Sequence, residues 1–400
     1  MTHLHPLFSL LALLAALLSA GLLVRLTGTP ASSGRYQSLD GLRGYLAIFV
    51  MFHHAAIWFP HLRAGPWRTP ESHLYAQFGQ GSVALFFMIT GFLFYSKLLQ
   101  GKSIDWTRLY ISRILRITPL YLFTIGMLLL IVMIQTGFTL RKPSWQIAQQ
   151  ILSWLAFTLP GSPDINGLEN TAFIVAGATW TLRYEWLFYF ALPLVFAAIK
   201  GKPGRFWITV SLISVLATML VWHPSFRYLL HFVGGGVAAY IANKTRFTEY
   251  ASQTRFTFLA LLCIACTVYF FPGANRFIPT VLLTVAFTIM ACGNTLFGIL
   301  TLPVSRYLGE ISYSLYLLHG IVLYIAIDWI VGREVLAIRS AEFFWAVMIA
   351  CVPVLIGLST LTFHFIEKPA LRSTERVTQI LRDYLAARRS KTALRASSAE

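Results

Sequence analysis

Apolar residues in this chain run in blocks of about twenty, separated by shorter polar and basic connections. The blocks lie near 7–25, 41–60, 81–99, 118–137, 181–199, 206–222, 226–243, 255–271, 278–300, 308–331 and 343–366. Each has about the length a helix needs to cross the hydrocarbon core of a bilayer. The pattern predicts an all-α polytopic membrane protein of about eleven transmembrane helices.

Composition sharpens this. The 400 residues are 57% hydrophobic and only 12% charged, with a mean hydropathy of +0.67. The net charge of +17 first reports orientation in a membrane chain. With the N-terminus outside, cytoplasmic positions take 23 of the 32 Lys and Arg, including Arg25, Arg35, Arg43, Lys97, Lys102, Lys200 and eight after Ile366. The expected topology is therefore N-out and C-in, in a multi-pass protein of the cell's inner membrane. Nucleic acid is not expected as a partner, because no soluble domain carries a basic patch interleaved with aromatics. The first apolar run lacks the basic leader of a secretory signal and reads as a retained span over 1–35. Cys263 and Cys266 form a C-x-x-C pair inside a predicted span without His partners, which reads as small buried hydrophobes, and no metal site is expected.

Three connections stand out. Lys97 to Pro119 carries Arg108, Arg113 and Arg116 with an apolar face of Ile111, Ile114 and Leu115, the pattern of an interfacial cytoplasmic helix. It reads either as a lipid anchor or as a polyanion site in which two guanidinium forks hold phosphates. Residues 138–180 form the longest external connection, with Trp145–Leu159 apolar enough for a short helix lying in the interface. The tail, 371–400, begins as an amphipathic helix and ends polar; its expected partner is anionic lipid, with disorder at the end.

The second apolar block holds the candidate chemistry. Arg43 and His54 are eleven residues apart, and at about 100° per residue they fall within roughly 20° of one helix face and about 16 Å apart along the axis. A surface arginine thus stands beneath an intramembrane histidine, a functional candidate because ionisable groups inside lipid are costly. His53 points about 80° away.

Ser38-Leu39-Asp40-Gly41-Leu42-Arg43-Gly44 running into His54 resembles the opening motif of the membrane acyltransferase-three family. Leu85-Phe86-Phe87-Met88-Ile89-Thr90-Gly91-Phe92 is similar to its second-span motif, and Arg113-Ile114-Leu115-Arg116 to its Arg-x-x-Arg element. Trp180-Thr181-Leu182-Arg183-Tyr184-Glu185 through Tyr189, Leu308–His319 and Phe363–Pro369 complete the set, in family order over about 36–370. Trp186 departs from the pattern, standing where a second Glu is frequent.

The resemblance implies a ten-span acyltransferase core, here residues 36–370 with one added leading span. The core takes an acyl group, usually acetyl, from cytoplasmic acyl-CoA, a co-substrate rather than a resident cofactor. It passes the group to a hydroxyl of a glycan or small molecule. Acyl transfer to an alcohol needs a base for the hydroxyl proton, and neutral imidazole, with an ordinary pKa near 6.5, suits that task. His54 is the expected general base, and Arg43, Arg113 and Arg116 are expected to hold the CoA phosphates. For His319 the possible roles are orienting the base, polarising the thioester, binding acceptor, or simply structure. Glu185, with Tyr184 and Trp180, is expected to form an acceptor site near the outer face, or else an aromatic belt with one paired carboxylate. Glu367 is expected to pair with an arginine. Ser312 and Ser314 are the conceivable nucleophiles of a covalent route. The acceptor is a surface polysaccharide or its lipid-linked precursor, a small hydroxylated metabolite being the alternative. A carrier or channel is the reading from another class.

Overall fold

The computed structural model of the chain describes residues 2–28, 36–100, 104–199 and 201–397, the last nine by backbone only. Arg35, Lys102 and Lys200, used in the topology reading, and the terminal 398–400, where the tail is expected to be disordered, lie outside the described residues. The protein is 78% helical with no strand among the described residues, and is an all-α polytopic membrane protein.

Its helices in chain order are α1 (Pro6–Thr27), α2 (Gln37–His61), α3 (His73–Leu99), α4 (Trp106–Gln135), α5 (Ser144–Leu155), α6 (Trp180–Ala198), α7 (Arg205–Val221) and α8 (Phe226–Lys244). They are followed by α9 (Thr254–Phe270), α10 (Phe277–Ala291), α11 (Pro303–Glu310), α12 (Ser312–Ile325), α13 (Arg333–Ile338), α14 (Ala341–Thr362), α15 (Lys368–Arg372) and α16 (Thr374–Ser397). Among the described residues, six helical stretches are long and apolar enough to cross a membrane, and three more are apolar but shorter. Every predicted block falls on a helix.

Three expectations need correction. The basic segment before the fourth span is not a separate interfacial helix. It is the start of α4, whose 30 residues run about 45 Å, longer than the hydrocarbon core of about 30 Å, so one end stands in the headgroup region. The block at 278–300 stops at Ala291, because Gly293 adopts φ +109° and the Asn294 side chain donates to Ala251 O (2.7 Å) and to Thr257 Oγ1 (2.9 Å). The block at 308–331 is divided at Ile311 into α11 and α12. The tail is helical through Ser397. The external connection does contain the expected short helix, as α5, and the segment after it is pinned by hydrogen bonds from Trp154 Nε1 to Pro163 O and from Asn166 Nδ2 to Thr139 O.

Packing directions follow from close contacts. Tyr36 meets Phe92 while His53 meets Gly79, so α2 and α3 run antiparallel. Gly91 lies against Phe232 and Ser96 against Asn243, so α3 and α8 run parallel. These are the relative directions that a chain passing alternately back and forth produces. The N-terminal end of α2 lies almost backbone to backbone on α11: a Cβ on Gly309 would sit 1.9 Å from Asp40 O, and one on Gly44 2.5 Å from Leu308 Cβ. Only glycine fits there, and the approach sets α2 beside the α11–α12 segment that carries His319.

Candidate active site

His54 and His319 meet between α2 and α12. His54 Nδ1 lies 3.1 Å from His319 Nε2 and 3.0 Å from Val50 O, and His319 Nδ1 lies 2.7 Å from Tyr316 O. A carbonyl can only accept, so in two neutral rings the Nδ1 of His319 carries its proton and donates to Tyr316 O. Its Nε2 is then a lone pair, which accepts from Nδ1–H of His54. Nε2 of His54 is left unprotonated and makes no hydrogen bond to the described residues. The pair is thus arranged as a base with a fixed tautomer, oriented by a second ring that a carbonyl orients in turn.

Tyr316 is itself held: its hydroxyl donates to Ala178 O at 3.0 Å and lies 2.9 Å from Thr181 Oγ1. His53 takes a different place. Its Nδ1 donates to Tyr75 O at 2.8 Å, and its ring fills the notch left by Gly79, where a Cβ would come within 2.5 Å of it. That makes it a packing residue.

Arg43 and His54 are surrounded by protein on every side yet keep some accessible surface. Arg43 forms no hydrogen bond or ion pair with the described residues; it lies in the combined field of Arg116, Asp40, Glu367 and Glu185.

The two arginines of the Arg-x-x-Arg element separate in their partners. Arg116 Nη1 lies 3.0 Å from Glu367 Oε2, an ion pair outside hydrogen-bond geometry, and Glu367 is almost wholly buried. The other oxygen of Glu367 accepts from Ser314 Oγ at 2.5 Å, and Ser314 accepts in turn from Thr362 Oγ1 at 2.9 Å. Glu367 reaches this position because the chain there is a π-helix, Phe363–Glu367, which shifts the register of the preceding turn. Arg113 stands over the Phe94 ring at 5.4 Å and beside Tyr189, whose hydroxyl donates to Glu185 Oε1.

Glu185 is therefore placed with Arg113 and Arg43 rather than with Tyr184 and Trp180. Those two lie about 100° and 140° around α6 from Glu185, in an aromatic cluster with Trp222 and Tyr228, and Tyr184 Oη accepts from Ser225 N at 3.0 Å. Ser314 is committed to Glu367, and among the described residues Ser312 Oγ is buried without a partner and neither serine is hydrogen-bonded to a histidine. Among the described residues there is no cluster of three metal-ligating side chains.

Sequence reasoning missed Tyr316, Tyr189, Thr362 and Tyr313, whose ring lies 5.5 Å from the Arg116 guanidinium. Two of them were within reach of helical spacing: Tyr316 precedes His319 by three residues and Tyr189 follows Glu185 by four, the intervals at which side chain meets carbonyl or side chain meets side chain.

A family model described as an acyltransferase domain matches residues 36–363 of the chain. Nodulation protein 10 of Rhizobium leguminosarum bv. viciae is 24% identical over 402 residues, an alignment covering 90% of this chain and 98% of that protein. No solved structure matches the chain.

Proposed function

The chain belongs to this acyltransferase domain family and is a multi-pass membrane acyltransferase, and from that premise we propose that it carries an acyl group, acetyl in the first instance, from cytoplasmic acyl-CoA to a hydroxyl of a cell-surface polysaccharide or its lipid-linked precursor. Residues 36–370 form the catalytic unit, with α1 as an added leading span and 371–400 as a basic cytoplasmic tail. The protein sits in the inner membrane with the N-terminus outside. The carrier or channel reading has no place in an acyltransferase family.

The observation that carries the reading is Nε2 of His54, the one ring nitrogen of the His54–His319 pair left with a lone pair and no partner among the described residues. In the proposed step the acceptor hydroxyl gives its proton to that nitrogen as its oxygen attacks the thioester carbonyl carbon. The C–O bond forms, the C–S bond breaks, and the CoA thiolate leaves with the proton returned by the imidazolium. Direct attack is favoured over an acyl-enzyme because, among the described residues, neither Ser312 nor Ser314 is hydrogen-bonded to a histidine, Ser314 donating to the ion-paired Glu367 instead.

Arg43 and Arg113 are the proposed phosphate holders, since neither is tied up in an ion pair among the described residues and both are lasting cations. Arg116 shares its charge with Glu367 and contributes as part of that pair. Trp180, half-buried beside Tyr228, supplies a flat apolar surface for a sugar, with Tyr184 holding it. Glu185 acts through Tyr189 on the Arg113 side.

The test is mass spectrometry of surface glycans from cells expressing the wild-type chain or His54→Ala at equal membrane levels. The expected result is an acetylated glycan in the first and not in the second. Identical glycans in both, with acetyl-CoA left unspent by purified protein, would overturn the reading. Acetyl found only on small extracted metabolites would move the acceptor to that class.

A further inference from the structure

The acyltransferase match ends at residue 363, ahead of α16, which has a surface of its own. At about 100° per residue this helix divides into three sectors. Glu375, Thr378 and Arg382 face α4, where Arg108 pairs with Glu375 and Arg382 with Asp105, and Thr378 is buried. Gln379, Asp383 and Arg376 form a polar sector. Between them Val377, Ile380, Leu381, Tyr384 and Leu385 make an apolar stripe about 140° wide, with Ile380 58% and Tyr384 57% exposed.

A stripe of five large apolar side chains on a helix that is already docked along another face needs a cover. Its position identifies one. The chain runs from α14 through the π-helix and α15 straight into α16. The helix is also ion-paired to the end of α4 that outruns the hydrocarbon core, so it lies at the headgroup level. The charge agrees: seven basic residues stand against three acidic ones over 371–400, and Arg372 and Arg376 are exposed with no ion pair among the described residues.

We propose that α16 is an interface-lying helix that docks onto an anionic phospholipid leaflet, its Val377–Leu385 stripe among the acyl chains and Arg372 and Arg376 on the phosphates. Each such arginine contributes about 1 kcal/mol near an anionic surface. Because α16 grips the start of α4, the lipid also steadies the helix that carries Arg113 and Arg116.

The full-length protein is reconstituted at one copy per nanodisc, in phosphatidylcholine alone or with phosphatidylglycerol added, and hydrogen exchange is read at the amides of 377–388. Exchange is expected to be slower in the anionic discs, and Arg372→Gln with Arg376→Gln to erase roughly a fivefold difference for each arginine. Ile380→Ser with Tyr384→Ser is expected to speed exchange in both kinds of disc while leaving the fold of α1–α14 protected. Equal exchange in both lipids, or protection that arises only when two copies share a disc, would overturn the proposal, the latter making a second copy of the chain the occupant.

Discussion

Nε2 of His319 accepts from Nδ1 of His54 across 3.1 Å and shares that proton with Val50 O at 3.0 Å, so the two contacts together hold Nε2 as the basic nitrogen of His54. A base with the wrong tautomer presents a proton where it should receive one, and loss of such an orienting partner costs rate by orders of magnitude. His54→Ala is expected to lower transfer by roughly 10²–10⁴. His319→Ala should lower kcat by roughly a hundredfold with little change in KM for acyl-CoA. His319→Gln, whose amide oxygen can accept the same hydrogen, should recover part of the loss. Steady-state kinetics on purified protein separates these outcomes. An unchanged kcat in His319→Ala would remove the orienting role.

The Arg116–Glu367 pair is a second testable unit. Glu367 has no contact with solvent, its two oxygens being taken by Arg116 and Ser314. Removing one partner of such a pair leaves a charge stranded in low dielectric, which costs about 3–5 kcal/mol. Glu367→Ala should therefore lower the Tm of the detergent-purified protein clearly. The double variant Arg116→Met, Glu367→Met should regain most of that stability, because neither charge remains. A Tm unaffected by Glu367→Ala would show that the pair is not buried in the working protein.

These two units were legible in the sequence to different depths. The periodicity of α2 put Arg43 and His54 on one face, since helical spacing is a local property that needs no neighbour. Depth along α12 placed His319 level with His54, but the direction of its ring depends on the Tyr316 carbonyl and on Gly44 and Gly309, which decide how closely the two helices approach. Glu367 was readable as an ion-pair partner, yet its choice of Arg116 follows from a π-helix that hydropathy does not signal. Glu185 went astray for a similar reason: hydropathy places it by its distance from a span end, whereas its real neighbours are set by the face that α6 turns toward α4.

Close approach of α2 to α11 can be tested without touching the chemistry. A methyl on Gly309 would overlap Asp40 O, a backbone atom that cannot rotate away. Overpacking of this kind costs about 1–3 kcal/mol, occasionally more, and it moves His54 relative to His319. Gly309→Ala should lower both Tm and kcat, whereas Gly126→Ala, on α4 with nothing within 4 Å of its Cβ position, should change neither. Equal behaviour of the two variants would show that contact between α2 and α11 does not set the His54–His319 distance.

Arg43 presents the opposite case, a residue whose removal should stabilise the ligand-free protein. Its guanidinium is enclosed, holds no ion pair or hydrogen bond with the described residues, and is repelled by Arg116 while Asp40, Glu367 and Glu185 attract it only at longer range. It stays charged because arginine does not give up its proton in proteins. Replacing an interior charge by an apolar side chain of similar length is often worth about 1–4 kcal/mol of added stability. Arg43→Met should therefore melt higher than wild type in the absence of substrate. Acyl-CoA tells the other half: a ligand that binds the folded state raises Tm, and if Arg43 holds a phosphate that rise should shrink or vanish in the variant. A variant that melts lower without ligand, or that gains as much Tm from CoA as the wild type does, would show that Arg43 is a structural cation and return the phosphate site to Arg113 alone.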